Sequence, residues 1–331
     1  MGTVFISQEE VPGLLPMAEC IEAVRQALGD LARGKGIQPL RPVMWLPEKV
    51  GALGMMPGYL GSIETVGIKT VTVFPGNAGT EYDSHQGTVM LFDAGNGRLK
   101  AVIDATEVTA IRTAAASAVA TDLLARKDSS VLALLGAGVQ GHSHARAIPL
   151  VRPITEIRVW SRNPERAAGL AEAGDDDANI RAVGSVAEAV AGADIVCTTT
   201  ASPEPILPGS LLEPGMHVNA VGSSVPFARE LDSEAMGRTR IFVDRRESTL
   251  NESGDFLMAQ AEGAIGEDDI VAEIGELIDG SHPGRESDDE ITTFVSLGLA
   301  VEDIAAADLV YRNAVESGKG LSIEFGGSRH G

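Results

Sequence analysis

The spacing of hydrophobic positions changes near residue 129, and that change divides the chain into two regions. Before it, helical and strand-like patterns are mixed. Met17 to Arg33 places Ile21, Val24, Leu28 and Leu31 at helical spacing and stops at Gly34, which predicts one amphipathic helix. Short runs at Val43 to Leu46, Gly51 to Pro57, Gly67 to Phe74 and Gly87 to Phe92 predict strands. Turn-formers separate them, notably Pro75-Gly76-Asn77 and Asp93-Ala94-Gly95-Asn96-Gly97. Asp104, with Glu107 three positions on, predicts a capped helix reaching Ala125, and its segment Thr113 to Ala118 carries only small side chains suited to close packing.

Beyond residue 129 strand and helix alternate. Val131 to Leu135, Ile157 to Trp160, Ile180 to Val183, Asp194 to Thr198, His217 to Val221 and Arg240 to Val243 read as strands. His142 to Leu150, Pro164 to Ala173 and Val186 to Ala191 read as helices between them. Strands apolar on both faces, alternating with helices, imply a parallel sheet covered on both sides. A final helix over Ala300 to Val315 is expected to pack back on the first region.

A chain of 331 residues is long enough for two domains with separate cores. Its 44% hydrophobic content is that of a globular protein. The formal net charge of −21 argues against nucleic acid or an anionic membrane as partner. Runs such as Glu267-Asp268-Asp269 and Ser287-Asp288-Asp289-Glu290 read as solvated loops or helix ends. No apolar run is long enough to span a bilayer and no signal-like core is visible, so a cytoplasmic protein is expected. Cys20 and Cys197 are isolated and read as buried thiols. His142 and His144 lack further ligands at metal-site spacing, so no metal is expected.

Chemistry enters with Gly136-Ala137-Gly138-Val139-Gln140-Gly141. A G-x-G-x-x-G hexapeptide is weak alone, but here it follows an apolar strand and opens a helix. Gly136 suits the tight turn, Gly138 the approach of a pyrophosphate and Gly141 close helix–strand packing. The helix N-terminus adds partial positive charge. This predicts a Rossmann dinucleotide site, a purely structural glycine turn being the alternative. Where such a site for NAD carries an acid after the second strand, this chain reads Trp160-Ser161-Arg162-Asn163-Pro164-Glu165-Arg166. A hydroxyl and two guanidiniums suit a 2′-phosphate, so NADP(H) is preferred and NAD(H) remains open, with ordinary surface arginines as the alternative. Upstream, Lys69 interrupts an apolar strand and Arg112 a small-residue helix. Burying either requires a partner. With Arg41 they can form a cationic pocket for a carboxylate, unless both simply reach solvent.

Several blocks resemble the ornithine cyclodeaminase/mu-crystallin family. They are Gly67-Ile68-Lys69, Ser84-His85-Gln86-Gly87-Thr88, Arg112 to Ala118, Gly136 to Gln140, Asn219-Ala220-Val221-Gly222, Asn251-Glu252-Ser253-Gly254-Asp255 and Ser296 to Asp303. They follow the family's order and cover nearly the whole chain. The resemblance implies a substrate and dimerisation domain, residues 1–120 with 304–331, and a Rossmann NADP-binding domain, residues 121–303. The expected fold class is α/β, a doubly wound parallel sheet joined to an α+β domain built from the N-terminal part and the C-terminal helix. A homodimer acting on a small imino or amino acid is implied. Arg41, Lys69 and Arg112 match the family's carboxylate-binding positions, and Ser84, His85 and Gln86 its loop touching substrate and nicotinamide. Gly138, Val139 and Gln140 match the pyrophosphate turn, and Ser161, Arg162 and Arg166 the 2′-phosphate site. Thr113, Thr198, Thr199, Thr200, Val221 and Ser296 join the expected cofactor-binding set.

One departure sorts the subclass. Cyclodeaminases carry an aspartate two residues after the glycine of the Val-Gly turn, and here Ser224 stands there. A serine is no carboxylate base. The resemblance is thus to the ketimine reductase branch, with NADPH-dependent reduction of 1-pyrroline- or 1-piperideine-2-carboxylate expected. Lys69, Ser224 and Glu252 are the expected catalytic residues. The alternatives are an amino-acid dehydrogenase or reductive aminase on an open-chain keto acid, an ornithine cyclodeaminase, and a non-catalytic NADPH-dependent binding protein.

Overall fold

The computed structural model describes residues 2–77, 79–174 and 178–326. The chain divides into two compact units, Met1–Arg112 with Leu299–Gly331, and Thr113–Gly298. The divisions fall several residues before the expected ones, at 112 instead of 120 and at 298 instead of 303. Ion pairs explain the shift, because Arg112 binds Glu302 and Asp303 and ties all three into the first unit.

The first unit is built on an eight-stranded sheet. Its order is Leu321–Ile323, Thr3–Ile6, Leu99–Asp104, His85–Asp93, Thr65–Val73, Ala52–Leu60 and Gly36–Ile37, with Val43–Trp45 also paired to Ala52–Leu60. All neighbours are antiparallel except Thr3–Ile6 beside Leu99–Asp104. Ala52–Leu60 alternates buried and half-buried residues along its whole length, as a strand with one covered face does. The cover includes the helix Ala300–Ser317, which packs on strands Ala52–Leu60, Thr65–Val73 and His85–Asp93 and against the helix Met17–Ala32. Gly67 sits opposite Gly58 in the sheet. A Cβ on Gly67 would come within 2.6 Å of Ile304 Cγ1, so glycine lets this helix lie close on the strands. Lys69 is two residues further along the same face.

The second unit is an eight-stranded, wholly parallel sheet. Its order is Asn179–Ala182, Glu156–Trp160, Val131–Leu135, Ile195–Thr198, His217–Ala220, Thr292–Val295, Arg240–Val243 and Ile270–Glu273. The central strands Ile195–Thr198, His217–Ala220 and Thr292–Val295 are buried at every position, as strands covered on both faces are. The strand order reverses direction between Val131–Leu135 and Ile195–Thr198. A doubly wound sheet opens its ligand crevice at such a reversal, beyond the carboxyl ends of the strands.

Side-chain caps fix several helix starts. Thr106 N–H donates to Asp104 Oδ1 at 2.8 Å, and Glu165 N–H to Asn163 Oδ1 at 2.9 Å, each worth about 1 kcal/mol. The helix expected from His142 begins earlier, at Val139, because the glycine turn runs straight into it. Both cysteines are buried, and burial pushes both thiols up to about 12. Among the described residues no helix is long and apolar enough to cross a membrane.

Candidate active site

In the first unit the two unexpected cations meet two acids. Lys69 is only 3% exposed and Arg112 4%. The Lys69 ammonium donates to Asp303 Oδ1 at 3.0 Å and lies 2.8 Å from Oδ2. Arg112 Nε donates to the same Oδ1 at 2.7 Å, and its Nη1 to Glu302 Oε2 at 3.0 Å. Neither cation reaches solvent, and the two form a buried quartet with the two acids. Burying either cation alone would be prohibitive, so the carboxylates are the physical condition for the lysine and arginine being there at all.

The quartet leaves Lys69 poised. Burial, the Arg112 charge and the Arg41 charge push its ammonium down, Asp303 holds it up, and the balance lands at about 8. Half-buried Arg41 thus stands near enough to act on Lys69. Ser84 and His85 lie at the start of the strand His85–Asp93, with Ser84 Oγ 3.0 Å from His85 Nδ1. Gln86 donates from Nε2 to Asp83 O at 3.0 Å. Val73 and His85 are register partners, as are Lys69 and Val89, so the Ser84-His85-Gln86 segment lies further along the sheet than Lys69.

The second unit supplies a nucleotide cradle. Gly136 has φ +125°, and a Cβ there would fall 2.6 Å from Thr199 Oγ1. A Cβ on Gly141 would sit 2.2 Å from Gly136 O, so the helix Val139–Ala147 can start only where glycine lets it touch the turn. Gly138 differs, since nothing lies within 4 Å of the place its Cβ would take. It caps the helix without a side-chain hydrogen bond. Open space above a bare helix N-terminus, with exposed Val139 beside it, fits a pyrophosphate.

Next along the sheet, Ser161 is half-buried and Arg162 and Arg166 are exposed, with no acidic partner within ion-pair distance among the described residues. Thr198, Thr199, Thr200, Val221 and Ser296 gather at the strand ends. Thr199 N–H donates to Leu135 O at 2.8 Å, Val221 N–H to Thr198 O at 3.1 Å and Ser296 N–H to Ala220 O at 2.9 Å. Thr113 is buried on the helix Ala105–Leu124. Ser224 is half-buried in the loop after His217–Ala220, and Glu252 closes the helix Arg246–Glu252.

Four acids here were not among the residues expected from the sequence. Glu302 and Asp303 interrupt an apolar helix, the same signal that singled out Lys69 and Arg112. Glu230 and Asp255 gave no comparable signal. Glu230 Oε1 accepts from Thr200 N–H and Thr200 Oγ1, both at 2.6 Å, and Oε2 from Gly222 N–H at 2.7 Å. Asp255 Oδ1 accepts from the Glu230 and Leu231 N–H groups at 2.8 and 2.9 Å. Burial and the Asp255 charge push Glu230 up to about 7, and burial pushes Asp255 up to about 6.

Residues 1–318 match the model of the ornithine cyclodeaminase/mu-crystallin family. Ketimine reductase mu-crystallin of Mus musculus is 43% identical over 319 residues, 95% of this chain and 98% of that protein. The structure of Thermococcus litoralis Delta(1)-pyrroline-2-carboxylate reductase in complex with NADH and L-proline superimposes with a TM-score of 0.93 at 37% identity, covering 97% of this chain and 100% of that one. An archaeal alanine dehydrogenase dimer with bound NAD gives 0.92 at 36% identity, covering 98% and 100%.

Proposed function

The chain belongs to the ornithine cyclodeaminase/mu-crystallin family, and we propose that it is an NADPH-dependent reductase of a cyclic ketimine carboxylate, 1-pyrroline- or 1-piperideine-2-carboxylate, yielding the cyclic L-amino acid. When bound, the nicotinamide supplies hydride to the C=N carbon. The protein's own residues have two tasks, to hold the carboxylate and to provide a proton for the ring nitrogen. Arg41, Lys69 and Arg112 take the first, with Ser84 beside the substrate, and Glu302 and Asp303 orient the two buried cations. The observation that carries this reading is Lys69. Its ammonium is buried, held by Asp303, and pulled down to about 8, so it is charged at neutral pH yet close to releasing a proton. Such a group both attracts a carboxylate and matches the strength of acid that works best near neutrality. Ser224, through water, is assigned to help deliver a proton to the ring nitrogen, and Glu252 to polarise that water.

Cofactor contacts fall to Gly136, Gly138, Val139, Gln140 and Gly141 at the pyrophosphate. Thr113, Thr198, Thr199, Thr200, Val221 and Ser296, with His85 and Gln86, take the ribose and nicotinamide. Ser161, Arg162 and Arg166 take the 2′-phosphate and favour NADP(H) over NAD(H). The protein works as a cytoplasmic homodimer, in keeping with the dimeric archaeal relative. That relative also favours a second reading, dehydrogenation of an open-chain amino acid. A panel of both ketimines and of keto acids with ammonia, followed by NADPH absorbance, separates the two. The ketimines are expected to turn over fastest, and ornithine to give no proline. Faster reduction of pyruvate with ammonia would move the assignment to amino-acid dehydrogenase.

A further inference from the structure

We propose that Glu230 is a positioning residue that sets the nicotinamide half of the cofactor site by bracing two loops together, an inference resting on the nucleotide-binding reading of the second unit. The two loops follow adjacent strands, Ile195–Thr198 and His217–Ala220. One carboxylate spans them, with Oε1 on the backbone and hydroxyl of Thr200 and Oε2 on the backbone of Gly222. The loops nest so closely that a Cβ on Gly222 would lie 1.9 Å from Thr200 O and 2.6 Å from the Glu230 carboxyl carbon. Glu230 is itself clamped. Its N–H donates to Asp255, and its carbonyl accepts from Ile206 and Leu207 N–H at 2.7 and 2.9 Å.

Glu230 is fully buried, and among the described residues no cation pairs with it. Three donors are its compensation. A carboxylate can turn an acceptor toward all three, whereas an amide of this length must turn its NH2 toward at least one of them. The adenine half of the crevice is different, since among the described residues neither the glycine turn nor the Ser161-Arg162 segment hydrogen-bonds Glu230. Loss of the brace therefore loosens one half of the site and leaves the other.

The test compares two nucleotides on the full-length protein. NADPH binding is read by fluorescence titration, and 2′-phospho-ADP-ribose, which lacks nicotinamide, by displacement of NADPH. Glu230→Gln points an amide toward donors. It should weaken NADPH at least about fivefold and leave 2′-phospho-ADP-ribose within about twofold, since lost contacts to one half of a ligand act on that half alone. Glu230→Asp keeps the acid but shortens its reach, and should show the same selectivity to a smaller extent, which keeps the test decisive if Glu230→Gln does not fold. Equal weakening of both nucleotides, or of neither, in the variants that fold overturns the brace while the nucleotide site stands. Failure of the unmodified protein to bind either nucleotide overturns the brace and the proposed function together.

Discussion

Asp303 holds both Lys69 and Arg112, so Asp303→Asn is the sharpest perturbation of the buried quartet. The substitution keeps shape and one acceptor but deletes the charge that holds the Lys69 ammonium up. Lys69 then either stays charged without its partner or sheds its proton. An unpaired buried charge costs roughly 3–5 kcal/mol. Shedding the proton costs less, because the unmodified protein holds it only to about 8. The proton's contribution, lost in the variant, is between about 1 and 2 kcal/mol at pH 7, roughly 3 kcal/mol at pH 6, and close to nothing above pH 8.

The sign follows from proton counting. The folded ammonium is depressed below its ordinary 10.5 in both proteins, and further in the variant. Between the variant's folded value and about 8, its unfolded chain holds a proton that its native state lacks, so its stability rises with pH. The unmodified protein is level there and rises only above about 8. Urea denaturation followed by circular dichroism at pH 6, 7 and 8.5 should thus give a stability deficit that shrinks by about 1.4 kcal/mol per pH unit up to pH 8. The alkaline limb of kcat/KM, expected near 8 in the unmodified enzyme, should move to lower pH by a unit or more. A deficit constant from pH 6 to 8.5 would show that Lys69 does not titrate with Asp303, and the proton-donor assignment would fall with it.

Gly138→Ala should fold normally, because φ −91° suits alanine and its Cβ meets no protein atom, yet lose about tenfold or more in NADPH affinity as the methyl occupies the pyrophosphate approach. Unchanged affinity in a titration would place the pyrophosphate elsewhere. NADPH should bind better than NADH by about tenfold, about 1.4 kcal/mol, and Arg162→Ala should narrow that gap by weakening NADPH alone. Equal affinities in the unmodified protein would show that the arginines read no phosphate. Ser224→Ala should slow ketimine reduction by less than about 10²-fold, since water can replace the hydroxyl; complete loss of turnover would make Ser224 the direct donor.

What the sequence made legible follows from where each element's environment is written locally. The strands Val131–Leu135 and Arg240–Val243 were readable because burial on both faces leaves an apolar run. Thr292–Val295 was not, although it lies inside the sheet, because two of its four residues are threonines. His217 Nδ1 satisfies the Thr292 hydroxyl from the neighbouring strand at 2.9 Å, a partner 75 positions away. Thr3–Ile6, Leu99–Asp104 and Leu321–Ile323 are short strands whose identity comes from pairing with one another, which no local pattern records. The same reasoning separates the site residues. Lys69 and Arg112 stood out as charges in apolar surroundings, and their partners Glu302 and Asp303 carried the identical mark, so pairing them was open to a reader who treated buried charges as a sum that has to vanish. Glu230 carried no mark. It lies in a polar stretch, Arg229-Glu230-Leu231-Asp232, where an acid looks solvated, and in Glu267-Asp268-Asp269 that is what it proves to be. The difference lies in what each acid receives. Asp269 accepts a local N–H at the surface, whereas Glu230 accepts donors from two loops that come together only when the parallel sheet has formed. A buried acid paired with another charge can be sought in the sequence, but one held mainly by backbone N–H groups has partners that residue type hardly records and becomes visible only with the fold.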